Sequence, residues 1–319
     1  MSDTIHVLWV RHCESCSNVA FKKFKKILTN FRKEVYNGMF NEPLCTEKGF
    51  NQSLSMGKQI NDWYNNEYIK NYKSNNKIQL YSSYLPRALE TSKLISSKID
   101  IEYLSKYIIP LCHISEFPLK YDSLFKNIPT QNKSVYYNFL CYIETLNNLF
   151  KKYGSKIKIK ENINCNNKLN NNNCCICNKE GVCLYSNNKS YDNFKNIYLG
   201  SIIKPKKLNI IVSHGKYIGK FLKLKSHPKN TQAYFIKYKK IKNEKTNNFE
   251  WIEEEISDDI FSIKPNQNNI NKLIEKNKNI HKNNENLDNI GKCKYRFNTT
   301  IINNCPNTAK KYSNKFKKN

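Results

Sequence analysis

Arginine is nearly missing from this chain. Among 319 residues only Arg11, Arg32, Arg87 and Arg296 occur, so the place of each guanidinium is informative. Long apolar runs are missing too. No segment approaches the length of a membrane span, and the start, MSDTIHVLWV, has no basic stretch followed by a long apolar one. The expectation is a cytoplasmic protein, in the host cytoplasm if the chain is viral. Acidic residues are scarce: 26 Asp and Glu stand against 54 Lys and Arg, for a net charge of +28. Such an excess ordinarily points to nucleic acid, an anionic membrane or an acidic partner. Here the excess is almost all Lys, scattered among Asn, Ile and Tyr as in an AT-rich genome. A dedicated nucleic-acid surface uses more Arg, whose planar fork suits phosphate. A nonspecific, salt-dependent anionic partner stays open.

The chain is also poor in apolar residues, at 39% with a mean hydropathy of −0.73. The deficit concentrates in 155–196 and 263–319, where Asn and Lys dominate. Neither stretch can bury enough surface to offset its chain entropy, so both are expected to be poorly ordered. This leaves a catalytic-sized domain over 1–262, interrupted by the 155–196 insert, and a basic tail over 263–319. The 12 cysteines are unevenly spaced in a chain far larger than a disulfide-stapled mini-domain.

Ile5 to Val10 reads as a buried strand ending at Arg11-His12. Residues 16–36 have helical spacing, and a second helix opens at Thr46-Glu47-Lys48-Gly49 with Thr46 as N-cap. Ile78 to Ser82 reads as a strand, Leu85 to Ser97 as the helix behind it, and Val135 to Tyr153 as another helix capped by Gly154. Leu208 to Ser213 is the most strand-like segment; it runs into His214-Gly215 and a helix through Leu224. Ala233 to Tyr238 and Phe249 to Ile256 read as an antiparallel pair. Strands alternating with helices predict an α/β fold, a mainly parallel central sheet covered by helices on both faces.

Three strands thus end in polar residues that precede a helix: Val10-Arg11-His12, Tyr81-Ser82-Ser83 leading to Arg87, and Val212-Ser213-His214. In open α/β sheets ligands collect at the carboxyl ends of strands. Two arginines and two histidines gathered there make an anion site, because guanidinium forks and ring N–H groups donate to oxygen. A lone histidine at a strand end is ordinarily a packing or capping residue. The combination with Arg11, Arg87 and His214 favours chemistry at His12.

The segments RHCESCSN, PLCTEKGFNQS, SSYLPRALETS and VSHG stand in the order and approximate spacing of the histidine phosphatase superfamily, the phosphoglycerate mutase-like proteins. The resemblance covers most of residues 5–256 apart from the insert, and implies the three-layer sandwich of that family. It implies His12 as the phosphorylated nucleophile, Arg11 and Arg87 as holders of the phosphoryl oxygens, and His214 as a donor to the same group. Asn18, and Ser15 in the same segment, fall where phosphate contacts are made. Glu116 is the best match to the acid that protonates the leaving oxygen, although a single loop Glu is ordinarily just solvated. Glu14 is a partner for an arginine or an alternative acid, while Asp62 and Glu67 read as ordinary exposed helix charges.

The chemistry suits these residue types. A neutral imidazole attacks phosphorus when its other nitrogen is held as N–H. The charge on a transferring phosphoryl group is stabilised by preset donors, and a carboxylic acid supplies the leaving-group proton. No metal is required.

The match departs from the family at three places. Cys13 stands where glycine is usual, which puts full activity in question, and Cys45 stands where leucine is usual, as a small buried hydrophobe would. Cys13 and Cys16 near the nucleophile raise a redox switch as a minor alternative. The segment between Asn18 and Thr46 shows no mutase substrate loop, which favours hydrolysis of a phosphorylated small molecule or phosphoprotein over mutase chemistry. An inactive phosphate-site scaffold is the other alternative. In the insert, Cys165, Cys174, Cys177 and Cys183 are candidates for a structural zinc site, with half-knot spacing at Cys174-x-x-Cys177.

Overall fold

A computed structural model of the chain describes residues 4–15, 18, 45–72, 77–111, 114, 143–144, 146–148, 151, 153–158, 194–205, 207–244, 248–254 and 261–282. The strands are β1 (Thr4–Arg11), β2 (Ile78–Ser83), β3 (Leu104–Leu111), β4 (Lys156–Ile157), β5 (Leu208–Ser213), β6 (Ala233–Lys242), β7 (Phe249–Glu253) and β8 (Ser262–Ile263). They form one sheet in the order β4-β3-β2-β5-β1-β6-β7, with β8 paired to β6. From β4 to β1 every pairing is parallel; β6 is antiparallel to β1, β7 and β8.

The side-chain alternation of each central strand splits the core in two. Leu8 and Val10 of β1 join Leu80 of β2 and Ile210 and Val212 of β5 on one face. Val7 and Trp9 join Tyr81 and Ile211 on the other. A strand buried on both faces reads as continuous apolar sequence, which is why Val7 to Val10 and Ile210 to Val212 carry no polar break. Trp9 is fully buried, its ring centroid 4.9 Å from those of Phe194 and Phe221. Truncating such a side chain to alanine costs roughly 3–5 kcal/mol.

Helices cover both faces. On the first lie α1 (Glu47–Trp63), which continues through a π-helical turn at Tyr64–Tyr68 and a last turn at Ile69–Tyr72, and α2 (Pro86–Ser96). Thr46 caps α1 by accepting from the Gly49 amide at 3.0 Å, and Pro86 starts α2 with φ preset. On the second face lies α3 (Gly215–Phe221), with the turn Phe194–Tyr198 beside it.

The strands expected at Ile5, Ile78, Leu208, Ala233 and Phe249 and the helices at Glu47, Leu85 and Gly215 are therefore present, with small changes of boundary. The predicted helix over 16–36 lies outside the described residues except Asn18. Of Val135 to Tyr153, Ile143, Glu144, Leu146, Asn147 and Asn148 are helical. β3 lies where the sequence reading assigned no element; as an outer parallel strand it tolerates Lys106 and Pro110, pairing among the described residues with β2 on one side and the two-residue β4 on the other. The tail is ordered further than composition suggests: β8 pairs with β6, and α4 (Gln267–Lys282) packs on α1. Ile270 is buried and Leu273, one turn on, packs partly buried against the same cluster, in a helix whose other residues are mostly Asn and Lys; Gln59 of α1 hydrogen-bonds Lys264 and Asn266.

Candidate active site

Strand register brings the three predicted strand ends together. β5 lies between β1 and β2, with Arg11 level with Ser213 and Val212 level with Ser82. The next residues, His12, His214 and Ser83, therefore emerge side by side at the carboxyl edge. The His12 amide donates to the Ser213 carbonyl at 2.9 Å, carrying the β1–β5 ladder one step beyond the strands.

The rings of His12 and His214 lie 5.0 Å apart at 58°. His12 Nδ1 donates to the carbonyl of Cys13 at 2.7 Å, while Arg87 Nε donates to His12 Nε2 at 3.3 Å. Both contacts select one tautomer, with the proton on Nδ1 and the lone pair on Nε2. Burial pushes the His12 pKa well below the imidazole range, and Arg87, His214 and Arg11 add to it. His214 is lowered well below that range by burial, then by Arg87 and Arg11; its Nε2 lies 2.9 Å from Ser83 Oγ. Two imidazoles with lowered pKa thus sit beside two guanidinium groups, and His12 and Arg87 are each only 2% exposed.

The loop that carries His12, residues 12–15, is held from three directions. From α1, Gln52 Oε1 accepts the Glu14 amide, and the Thr46 amide donates to the Glu14 carbonyl at 2.9 Å. From α2, Thr91 Oγ1 accepts the Cys13 amide at 2.9 Å and donates to the Arg87 carbonyl at 2.6 Å. From the segment before β6, Asn230 Nδ2 donates to the carbonyls of His12 and Cys13, the Thr231 amide donates to the Arg11 carbonyl, and the Pro228 carbonyl accepts from Arg11. Gly215 is needed for its small size: a β-carbon there would lie 2.9 Å from Arg11 Nε and 2.5 Å from the His227 ring.

Arg11, His12, Arg87 and His214 are thus together, as the motifs predict. Asn18 is close by, but its Oδ1 accepts from the Ser15 amide, Ser15 Oγ and Asn230 Nδ2, so in this structure Asn18 and Ser15 organise the loop. Glu14 is buried, its Oε1 accepting from Thr46 Oγ1 at 3.3 Å. Asp62 and Glu67 are exposed, as expected. Glu116 lies outside the described residues, as do Cys16, Cys165, Cys174, Cys177 and Cys183. Ile114, two residues before Glu116, receives a hydrogen bond from Ser213 Oγ, next to His214.

Cys45 corrects the sequence expectation. It is buried, as a small hydrophobe would be, but it forms a disulfide with Cys13. The partners are 32 residues apart, and nothing in their local sequence pairs them. The segment Pro228–Thr231 also escapes sequence reasoning, because its role is made by main-chain and amide contacts more than 200 positions away from His12. Ser83 was accessible: it stands in the same motif as Arg87.

No family model and no curated protein matches the sequence. Among solved structures, a phosphoglycerate mutase from Bacillus anthracis is similar at 14% identity, covering 80% of this chain and 95% of that one, with a TM-score of 0.40. A mycobacterial glucosyl-3-phosphoglycerate phosphatase is 12% identical over 79% of this chain and 97% of that one, with a TM-score of 0.36. The ecdysone phosphate phosphatase of Bombix mori, solved with tungstate, is 12% identical over 79% and 92%, with a TM-score of 0.37. In the order of its four motifs, and in the α/β sheet that brings their residues to one edge, the chain resembles the histidine phosphatase superfamily.

Proposed function

We propose that this protein is a phosphomonoesterase that works through a phosphohistidine at His12. The observation that carries the proposal is the state of the His12 ring: Nδ1–H is given to the Cys13 carbonyl and the Nε2 lone pair faces Arg87 and His214. A phosphoryl group entering there takes over the donor that Arg87 now gives to Nε2, and places its oxygens among Arg11, Arg87 and His214.

In the first step Nε2 bonds to phosphorus as the ester oxygen leaves with a proton from Glu116. In the second, water attacks phosphorus, the Glu116 carboxylate takes its proton, and His12 Nε2 departs, releasing inorganic phosphate. His214 donates to the phosphoryl oxygens. The scheme uses no metal. The substrate class is a phosphorylated small molecule or a phosphoprotein.

Purified protein incubated with an aryl phosphate is expected to release phosphate and to yield an acid-labile phosphoenzyme that His12→Ala lacks. Equal inactivity of both proteins, with no phosphohistidine trapped, would support the scaffold alternative instead. Isomerisation of 3-phosphoglycerate outrunning phosphate release, with a bisphosphoglycerate primer, would make it a mutase.

A further inference from the structure

We infer that the Cys13–Cys45 disulfide is a positioning device for the nucleophile, an inference that rests on His12 being the phosphorylated residue. Cys13 touches the proposed chemistry through its main chain: its carbonyl holds His12 Nδ1–H at 2.7 Å and so decides which nitrogen keeps the lone pair. Cys13 Sγ is bonded to Cys45, whose amide donates to Glu90 Oε2 of α2 at 2.8 Å and whose neighbour Thr46 caps α1. Ser15 and Cys45 form an antiparallel bridge. The two sulfurs lie 3.9 and 4.0 Å from the carbonyl of Arg87, and Cys45 Sγ lies 3.7 Å from Thr91 Oγ1. One covalent link therefore joins the nucleophile loop to the start of α1 and seats both on the turn of α2 that supplies Arg87.

A glycine at position 13 can offer a carbonyl but no such tether. The chain has put a cross-link where the resembled family has its smallest residue. Fixing the Cys13 carbonyl fixes the His12 ring, and with it the 3.3 Å approach of Arg87 to Nε2. Small misplacements of reacting groups cost rate heavily, about 100-fold for 1 Å. Both cysteines are fully buried, so a reducing thiol reaches the bond only when the loop opens.

Reduction by dithiothreitol takes two electrons and two protons to give the Cys13 and Cys45 thiols, with dithiothreitol closing to its cyclic disulfide. Oxidised glutathione reverses this, leaving two glutathione thiols. The test compares full-length oxidised protein, the same protein reduced and then reoxidised, and the Cys13→Ala/Cys45→Ala double variant, each checked for fold by circular dichroism. The expected result is a fall of about 10- to 100-fold in kcat on reduction, with KM changed less than about threefold. Reoxidation restores kcat, and the double variant has the low kcat whatever the reagent. A merely structural cross-link would change the melting temperature and leave kcat alone in folded protein.

Free thiols at both positions in non-reduced peptide mapping would overturn the inference. So would a folded double variant with wild-type kcat, and in that case trapped phospho-His12 would leave the functional proposal standing. No phosphoenzyme in the oxidised wild type would overturn the functional proposal, and this inference with it. If the double variant fails to fold, the reduction and reoxidation of wild-type protein decides alone.

Discussion

Gly49 lies so close to Glu14 that a β-carbon at position 49 would sit 2.1 Å from the Glu14 carbonyl oxygen. That oxygen also accepts the Thr46 amide, so the first turn of α1 and the His12 loop are fitted main chain to main chain. Gly49→Ala is expected to force them apart, costing about 1–3 kcal/mol in stability and lowering activity at the same time. Urea denaturation and aryl phosphate hydrolysis measure the two. Unchanged values for both would show that the contact is not tight.

If His12 is the nucleophile as proposed, activity should not lose it as pH falls through 6.5. His12 is held well below the imidazole range by burial first and by Arg87 next, so Nε2 keeps its lone pair in mildly acidic solution. The kcat/KM profile, corrected for the ionisation of the substrate, is expected to stay level on its acid side past the ordinary histidine pKa. An acid limb at 6.5 that remains after the substrate correction would refute this account of the ring.

His6 predicts a separate pH dependence, in stability. Burial, and secondarily Lys237, lowers its pKa to about 4, and its ring sits among Tyr68, Tyr72 and Phe235 with Nδ1 2.7 Å from the Tyr68 hydroxyl. Between pH 4 and 6.5 the unfolded chain binds a proton there that the folded one refuses. Stability is therefore full above 6.5 and falls as pH drops, by up to ~1.4 kcal/mol per pH unit. His6→Phe should remove this part of the decline, seen as a smaller difference in urea midpoint between pH 7 and pH 5.

Glu90 has the opposite slope. Burial raises its pKa to about 8, partly offset by the Cys45 amide. Above about pH 4.5 the unfolded chain releases this proton while the folded chain keeps it, so stability falls as pH rises toward 8. Glu90→Gln keeps an acceptor for the Cys45 amide and cannot ionise. Its stability relative to wild type should grow from pH 5 to pH 8; a constant difference across that range would show that Glu90 is not held protonated.

The sequence by itself determined the central strands and the residues at their ends. Burial on both faces demands unbroken apolar runs such as Val7 to Val10 and Ile210 to Val212, and a chain with so few arginines marks Arg11 and Arg87 by their placement. Local sequence also sufficed for α1 and α2, through the Thr46 cap and Pro86. It did not suffice for β3, whose Lys106 and Pro110 are tolerated on an outer strand, or for α4, whose apolar residues are diluted by Asn and Lys. Only the tertiary structure decided how the His12 loop is held. Cys45 reaches Cys13, and Asn230 reaches the His12 carbonyl, across 32 and 218 positions. Such contacts follow from where the sheet order sets each segment down, and no local pattern of residues encodes them.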